Sequence, residues 1–232
     1  MEIYFIRHGQ ARFGSSNYDR LSDLGKKQAT ILGDHLAKLD IDFDAAFAGT
    51  LERQIDTGHY ALDRLPGGAP EIRTDSRFNE HPTAQIIAAQ ADTLQQENPA
   101  LVEAFAVAFS EPAQFALIYE AAMHRWMSGE HEIDGLITWR LFVDNTVAAV
   151  HNAAASVPDA KRIAIFCSGG TVSAMMQHAL GLSGDSALHS VWYIHNGSVS
   201  IFRHNKRGLS LYAFNDVSHL RLKNDPALLT YR

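Results

Sequence analysis

The chain has 232 residues, 46% of them hydrophobic, with a formal charge of −6. That size and apolar content suffice to bury a core in one domain with an insertion, and the acidic balance excludes a general nucleic-acid binder, which needs a basic surface. A single cysteine excludes an internal disulfide and any CxxC redox or zinc motif.

In chain order, MEIYFIRH opens the sequence with a strand-like run at residues 2–7. It has no basic leader or long apolar core of a signal peptide, so a cytoplasmic protein is expected. The next element is helical: residues 22–39, SDLGKKQATILGDHLAKL, place Leu24, Ile31, Leu32, Leu36 and Leu39 at helical spacing behind Ser22 as N-cap. A strand is predicted at 43–49 and a second helix from Thr50, taken as its N-cap. PGGAP at 66–70 is a turn cluster. Residues 83–156 are Ala-rich, helically patterned and broken at Pro112, which predicts a helical insertion. A strand follows at 162–168, then a helix ending near Gly181. Runs at 198–204 and 209–215, separated by NKRG, predict an antiparallel hairpin. The strands at 2–7 and 162–168 are apolar on both faces, as interior strands covered on two sides would be. The alternation predicts an α/β fold, a three-layer sandwich with a mostly parallel central sheet flanked by helices. No run approaches the roughly 18 apolar residues of a membrane helix.

In such sheets ligands gather beyond the carboxyl ends of the strands. Three segments bring polar groups there: Arg7-His8-Gly9, Gly49-Thr50 with Arg53 one turn on, and Ser168-Gly169-Gly170. Arginine offers planar paired donors to phosphate or carboxylate, and a helix N-terminus adds free N–H groups. The combination predicts an anion pocket.

RHGQ (7–10), followed by DRLSDLGKKQA (19–29), resembles the opening of the histidine phosphatase superfamily, the group that includes phosphoglycerate mutase. That pattern runs Arg-His-Gly, then Asp-x-Leu-Ser/Thr-x-x-Gly-x-x-Gln-Ala, and Asp19, Leu21, Ser22, Gly25, Gln28 and Ala29 fit it. Arg53 and Glu80 match the family's later arginine and acid. The resemblance covers roughly the first 80 residues and residues 160–204. It implies that His8 is a nucleophile forming a phosphohistidine. Arg7, Arg53, Ser168 and Gly169 would bind the phosphoryl group, and Glu80 would serve as general acid and base. It implies a small phosphorylated substrate and no metal or other cofactor. Two positions depart from the pattern: Ser168 stands where the family has a second histidine, and Gln10 where glutamate is common. Two other readings therefore stay open, a phosphate-ester binding or regulatory protein with weakened catalysis and a phosphoglycerate mutase.

Other features are assigned by local spacing. A cysteine phosphatase would need arginine six positions after Cys167, where Ser173 stands, and a serine-hydrolase elbow would need glycine at Phe166. HEIDG (131–135) lacks the second histidine of a zinc-binding HExxH. His178 and His195 are candidates to compensate for Ser168, Asn196 to border the pocket, and Arg125, Trp126 and Arg140 to line a lid. The oligomeric state is left open.

Overall fold

The computed structural model describes residues 1–12, 19–108 and 111–231. Its centre is a six-stranded sheet of β1 (Glu2–Arg7), β2 (Ala45–Ala48), β3 (Ile72–Thr74), β4 (Arg162–Cys167), β5 (Val199–Asn205) and β6 (Gly208–Asp216), in the order β3-β2-β4-β1-β5-β6. The first four pair in parallel. β5 runs antiparallel to β1, and β6 antiparallel to β5. The expected α/β architecture, interior strands and terminal hairpin are all present.

β1 and β4 alternate with period two between two cores. Ile3, Phe5, Ile163, Ile165 and Cys167 enter one, while Tyr4, Ile6, Ala164 and Phe166 enter the other. The second core is closed by α1 (Asp23–Lys38) and α2 (Glu52–Leu62) through Leu32, Leu36, Ala61 and Leu62. On the first face lie α6 (Trp139–Ser156) and α7 (Gly169–Leu180), with Val150, Ala153, Val172 and Met175. Phe5 and Phe166 are fully buried, each contributing about 1.5–3 kcal/mol by removal from water.

Residues 83–156 hold α3 (Thr83–Glu97), α4 (Ala100–Val107), α5 (Pro112–Ser128) and α6. The first three build a separate apolar cluster with α8 (Gly184–Val191), around Ile86, Leu101, Met123, Trp126 and Leu188. α6 serves both, sending Phe142 into that cluster and Val150 to the sheet. A last short helix, α9 (Ser218–Arg221), packs against α1. Among the described residues, no helix is long and apolar enough to cross a membrane.

Some details differ from expectation, and α8 and α9 lie outside the elements read from the sequence. β3 has no counterpart in the sequence reading, because its three edge residues are intermediate or exposed and carry no apolar alternation. Thr50 does not cap α2. The cap position is Leu51, which offers no side-chain bond, and Thr50 instead exchanges hydrogen bonds with the Asn79 amide. The helix end is served by Asp19, whose Oδ2 accepts the Glu52 N–H at 2.8 Å. By contrast, Ser22 caps α1 as expected, accepting from the Gly25 N–H at 3.0 Å.

Candidate active site

β1 ends where β4 does, because Arg7 is in register with Cys167. One residue on, the His8 N–H donates to the Cys167 carbonyl at 2.9 Å. A turn at Gly197 (φ 70°) closes over the same backbone. Its N–H reaches the Arg7 and His8 carbonyls at 3.0 and 3.2 Å. Asn196 is buried beside it and donates from Nδ2 to the His8 carbonyl at 3.2 Å. Asn196 thus holds the backbone of His8 from behind.

The spaced motif of the first helix acts as a mould for this loop. A Cβ on Gly9 would lie 2.4 Å from the Gly25 carbonyl oxygen, and one on Gly25 would lie 2.2 Å from the Gln10 carbonyl oxygen. Only glycines allow that approach. The Gly9 N–H donates to Thr57 Oγ1 at 3.0 Å and the Gln10 N–H to Gln28 Oε1 at 2.8 Å. Gln28, fully buried, also donates to Leu228 O and Thr230 Oγ1. Ser22 Oγ donates to Gln10 Oε1 at 2.9 Å. Gln10 therefore has a structural role here, tying the loop to the helix cap.

The His8 ring is fixed at both nitrogens. Nδ1 lies 2.7 Å from the Gly9 carbonyl oxygen, which can only accept, so Nδ1 carries the proton. Nε2 then holds a lone pair, and Arg53 Nε donates to it at 3.2 Å. Burial, with the Arg53 and Arg7 guanidinium groups, holds the ring well below its ordinary value of 6.5, so it is neutral near pH 7. Arg53 is in turn anchored through Nη1 to Asp19 Oδ1 at 2.6 Å. Arg7 is oriented by bonds from Nη1 to the Ile194 carbonyl and from Nη2 to the Tyr231 carbonyl, the latter at 2.8 Å.

The β4–α7 junction forms the opposite wall. Ser168 occupies the N-cap position by its backbone, but its side chain makes no capping bond. Instead its Oγ accepts from Gln54 Nε2 at 2.8 Å. Gln54 is itself fully buried and also donates to the Phe78 carbonyl at 3.0 Å. Its Oε1 has no partner among the described residues, a defect costing about 1–3 kcal/mol. A Cβ on Gly169 would touch the Arg7 guanidinium carbon at 3.6 Å, so this junction and Arg7 border one space. Glu80 accepts the Gly170 N–H at 3.1 and 3.3 Å, at the positive end of the α7 dipole. A Cβ on Gly170 would lie 2.2 Å from Glu80 Oε1, so a side chain there would evict the carboxylate.

Several neighbours were not anticipated. His81 is buried with its Nε2 3.5 Å from Glu80 Oε1, and packs against Trp126, Phe142 and Tyr119. Burial lowers its pKa, against a smaller upward pull from Glu80. Tyr119 of α5 meets Trp192 at 4.9 Å between ring centres. Its hydroxyl is pushed up by burial and by Glu80, opposed by Arg7, which places it within electrostatic reach of both. Neither residue stands in a sequence pattern; adjacency of His81 to Glu80 was its only signal.

Of the lid candidates, only Trp126 approaches the site, through His81. Arg125 bonds Glu97 at 2.8 Å, and Arg140 is highly exposed beside Asp144. His178 is exposed in the last turn of α7, about 15 Å along the axis from Ser168 at a rise of 1.5 Å per residue. It therefore cannot replace a group at Ser168. His195 is buried, with its ring centre 4.2 Å from that of Tyr231. Cys167 is in the core, its thiol pushed well above the ordinary range by burial. Among the described residues, no three or more His, Cys, Asp or Glu side chains gather in a way that could hold a metal ion.

A sheet-end cluster in which a neutral, hydrogen-bonded histidine meets one guanidinium group and feels the charge of a second defines a class. A family model described as the histidine phosphatase superfamily (branch 1) matches residues 3–82 and 81–217, and the chain belongs to that superfamily. Among curated relatives, the mitochondrial serine/threonine-protein phosphatase Pgam5 of Caenorhabditis briggsae is 38% identical over 69 residues, 30% of this chain and 24% of its own. A 2,3-bisphosphoglycerate-dependent phosphoglycerate mutase of Neisseria meningitidis is 33% identical over 93 residues, 37% of this chain and 40% of its own. The matched region thus spans less than half the length of either relative. Among solved structures, phosphoserine phosphatase of Entamoeba histolytica, in complex with phosphoserine, aligns with a TM-score of 0.65 at 14% identity, over 94% of this chain and 98% of its own. The alpha-ribazole phosphatase of Shigella flexneri aligns at 0.63 and 19% identity, over 93% and 96%. These two share the fold.

Proposed function

We propose that the protein is a phosphomonoester hydrolase that acts on a small phosphorylated substrate through a phosphohistidine on His8. The observation that carries this reading is the His8 ring, with Nδ1–H spent on the Gly9 carbonyl and an Nε2 lone pair beside Arg53. A buried imidazole kept neutral in this way is an activated nucleophile rather than a structural cation.

In this reading Nε2 attacks phosphorus and the bond to the leaving oxygen breaks. Arg7 and Arg53 hold the equatorial oxygens, joined by the Ser168 hydroxyl and the Gly169 N–H at the start of α7. Arginine charge thereby takes the part that a metal ion has elsewhere in phosphoryl transfer. Glu80, held on the Gly170 N–H, gives a proton to the departing alkoxide. It then takes one from the water that attacks the phosphohistidine. The P–N bond breaks, inorganic phosphate leaves, and His8 returns to its starting state.

Steady-state phosphate release from an aryl phosphate across pH 4 to 8, with His8→Ala alongside, tests this. Turnover is expected in the wild type, with a ³²P-labelled, alkali-stable and acid-labile phosphoenzyme that the variant does not form. Equal turnover in the two proteins would refute it. Phosphate-ester binding without turnover would instead support a binding protein, and exchange of 2- and 3-phosphoglycerate would support a mutase.

A further inference from the structure

We infer that Gln54 is a positioning residue that makes Ser168 a hydrogen-bond donor to the phosphoryl oxygens. The inference rests on the phosphohydrolase reading and extends it to a residue outside the His8–Arg53–Glu80 set.

The chemistry of the contact decides its direction. An amide nitrogen has no lone pair to offer, so in the 2.8 Å contact between Gln54 Nε2 and Ser168 Oγ the amide must donate. The amide cannot be reversed, because its other hydrogen meets the Phe78 carbonyl at 3.0 Å, where an oxygen would face an oxygen. One lone pair of Ser168 is therefore occupied from the α2 side, and its proton is turned away from Gln54. The serine does not spend itself on its own helix, since it makes no side-chain cap bond. It stands between β4, which is in register with Arg7, and Gly169, whose open face meets the Arg7 guanidinium. A donor at this place faces the space that Arg7 and His8 border.

Gln54 follows Arg53 in the first turn of α2, so one helix end delivers both the guanidinium and the amide that aims the hydroxyl. Both side chains of the pair are fully buried. With no partner for Gln54 Oε1 among the described residues, the amide is not fully satisfied by them. Keeping a buried amide with an idle oxygen makes sense if the nitrogen end has a task.

The test is a double-mutant cycle on the full chain with Gln54→Leu, Ser168→Ala and the double variant, reading kcat and KM for 4-nitrophenyl phosphate and the Ki of inorganic phosphate. Ser168→Ala should lower kcat about 10²-fold, the scale of one lost oxyanion donor, and Gln54→Leu about tenfold. The double variant should match Ser168→Ala within about twofold, since Gln54 acts only through that hydroxyl. Losses that multiply, a silent Gln54→Leu, or a silent Ser168→Ala would each overturn the inference. If circular dichroism shows Gln54→Leu unfolded, Gln54→Asn, which withdraws the amide by one methylene, takes its place. Absence of turnover in the wild type would refute the hydrolase reading alone. The same four proteins titrated calorimetrically with inorganic phosphate must then show the same coupling in Kd, and additive losses there would overturn the inference.

Discussion

Acid should unfold this protein partly through one buried ring, His219. It lies on α9 at 3% exposure, 5.8 Å from the His35 ring, with no partner for its Nε2 among the described residues. Burial is the main cause that brings its pKa down from the ordinary 6.5 to about 4, with His35 adding to it and Asp216 and the Gly197 backbone opposing. Because the folded value is depressed, the unfolded chain takes up the proton first as pH falls. The stability tied to this ring is therefore complete above about pH 7, declines below 6.5, and levels off below 4. At about 1.36 kcal/mol per unit, the loss between pH 8 and pH 4.5 comes to about 2.5 kcal/mol. That is a large part of a total that is typically about 5–15 kcal/mol. His8, His81 and His195 are depressed too and add losses of the same sign, so the variant difference is the diagnostic quantity. His219→Asn keeps a polar side chain near Gly197 and cannot titrate. Urea unfolding at pH 8 and pH 4.5 should show the wild type losing about 2.5 kcal/mol more than this variant. Equal losses would refute the reasoning. The consequence reaches the site, since Gly197 holds the carbonyls of Arg7 and His8.

Three further outcomes follow from the geometry. Since His8 is held well below 6.5, kcat/KM for 4-nitrophenyl phosphate, corrected for the second ionisation of the substrate, should stay flat from pH 7.5 to 6; an acid limb centred at 6.5 or above would contradict the neutral-ring assignment. Glu80→Gln keeps an oxygen for the Gly170 N–H but cannot give a proton at neutral pH. Its kcat/KM, which reports phosphoryl transfer to His8, should fall about 10²-fold or more for an alkyl phosphate and far less for 4-nitrophenyl phosphate, whose leaving group needs no acid; equal losses of kcat/KM would count against the acid role. Gly9→Ala forces a methyl to 2.4 Å from the Gly25 carbonyl oxygen. It should cost about 1–3 kcal/mol, or about 2–4 °C of Tm per kcal/mol in a chain of this size, and an unchanged Tm would refute the mould described for the loop.

What the sequence determined by itself were the features written in neighbouring residues. Apolar alternation on both faces of β1 and β4 announced two covered faces, and Ser22 announced the start of α1. The paired RHG and LSxxGxxQA segments announced the family, because their spacing is set by one local mould in which Gly9 and Gly25 touch. The tertiary structure alone decided which distant groups meet. Thr50 is a good cap residue, yet Asp19 serves that helix end from a separate loop while also holding Arg53. β3 exists because β2 offers it an edge, not because its own three residues ask for a sheet. Gln54 stands in no sequence pattern, and only folding brought Ser168, 114 positions on, to its nitrogen. Tyr119, from the helical segment, came beside His81 in the same way. Periodicity records how one segment divides between core and solvent, whereas a site is made of hydrogen bonds between segments, and their partners are chosen only when the sheet brings its strand ends together.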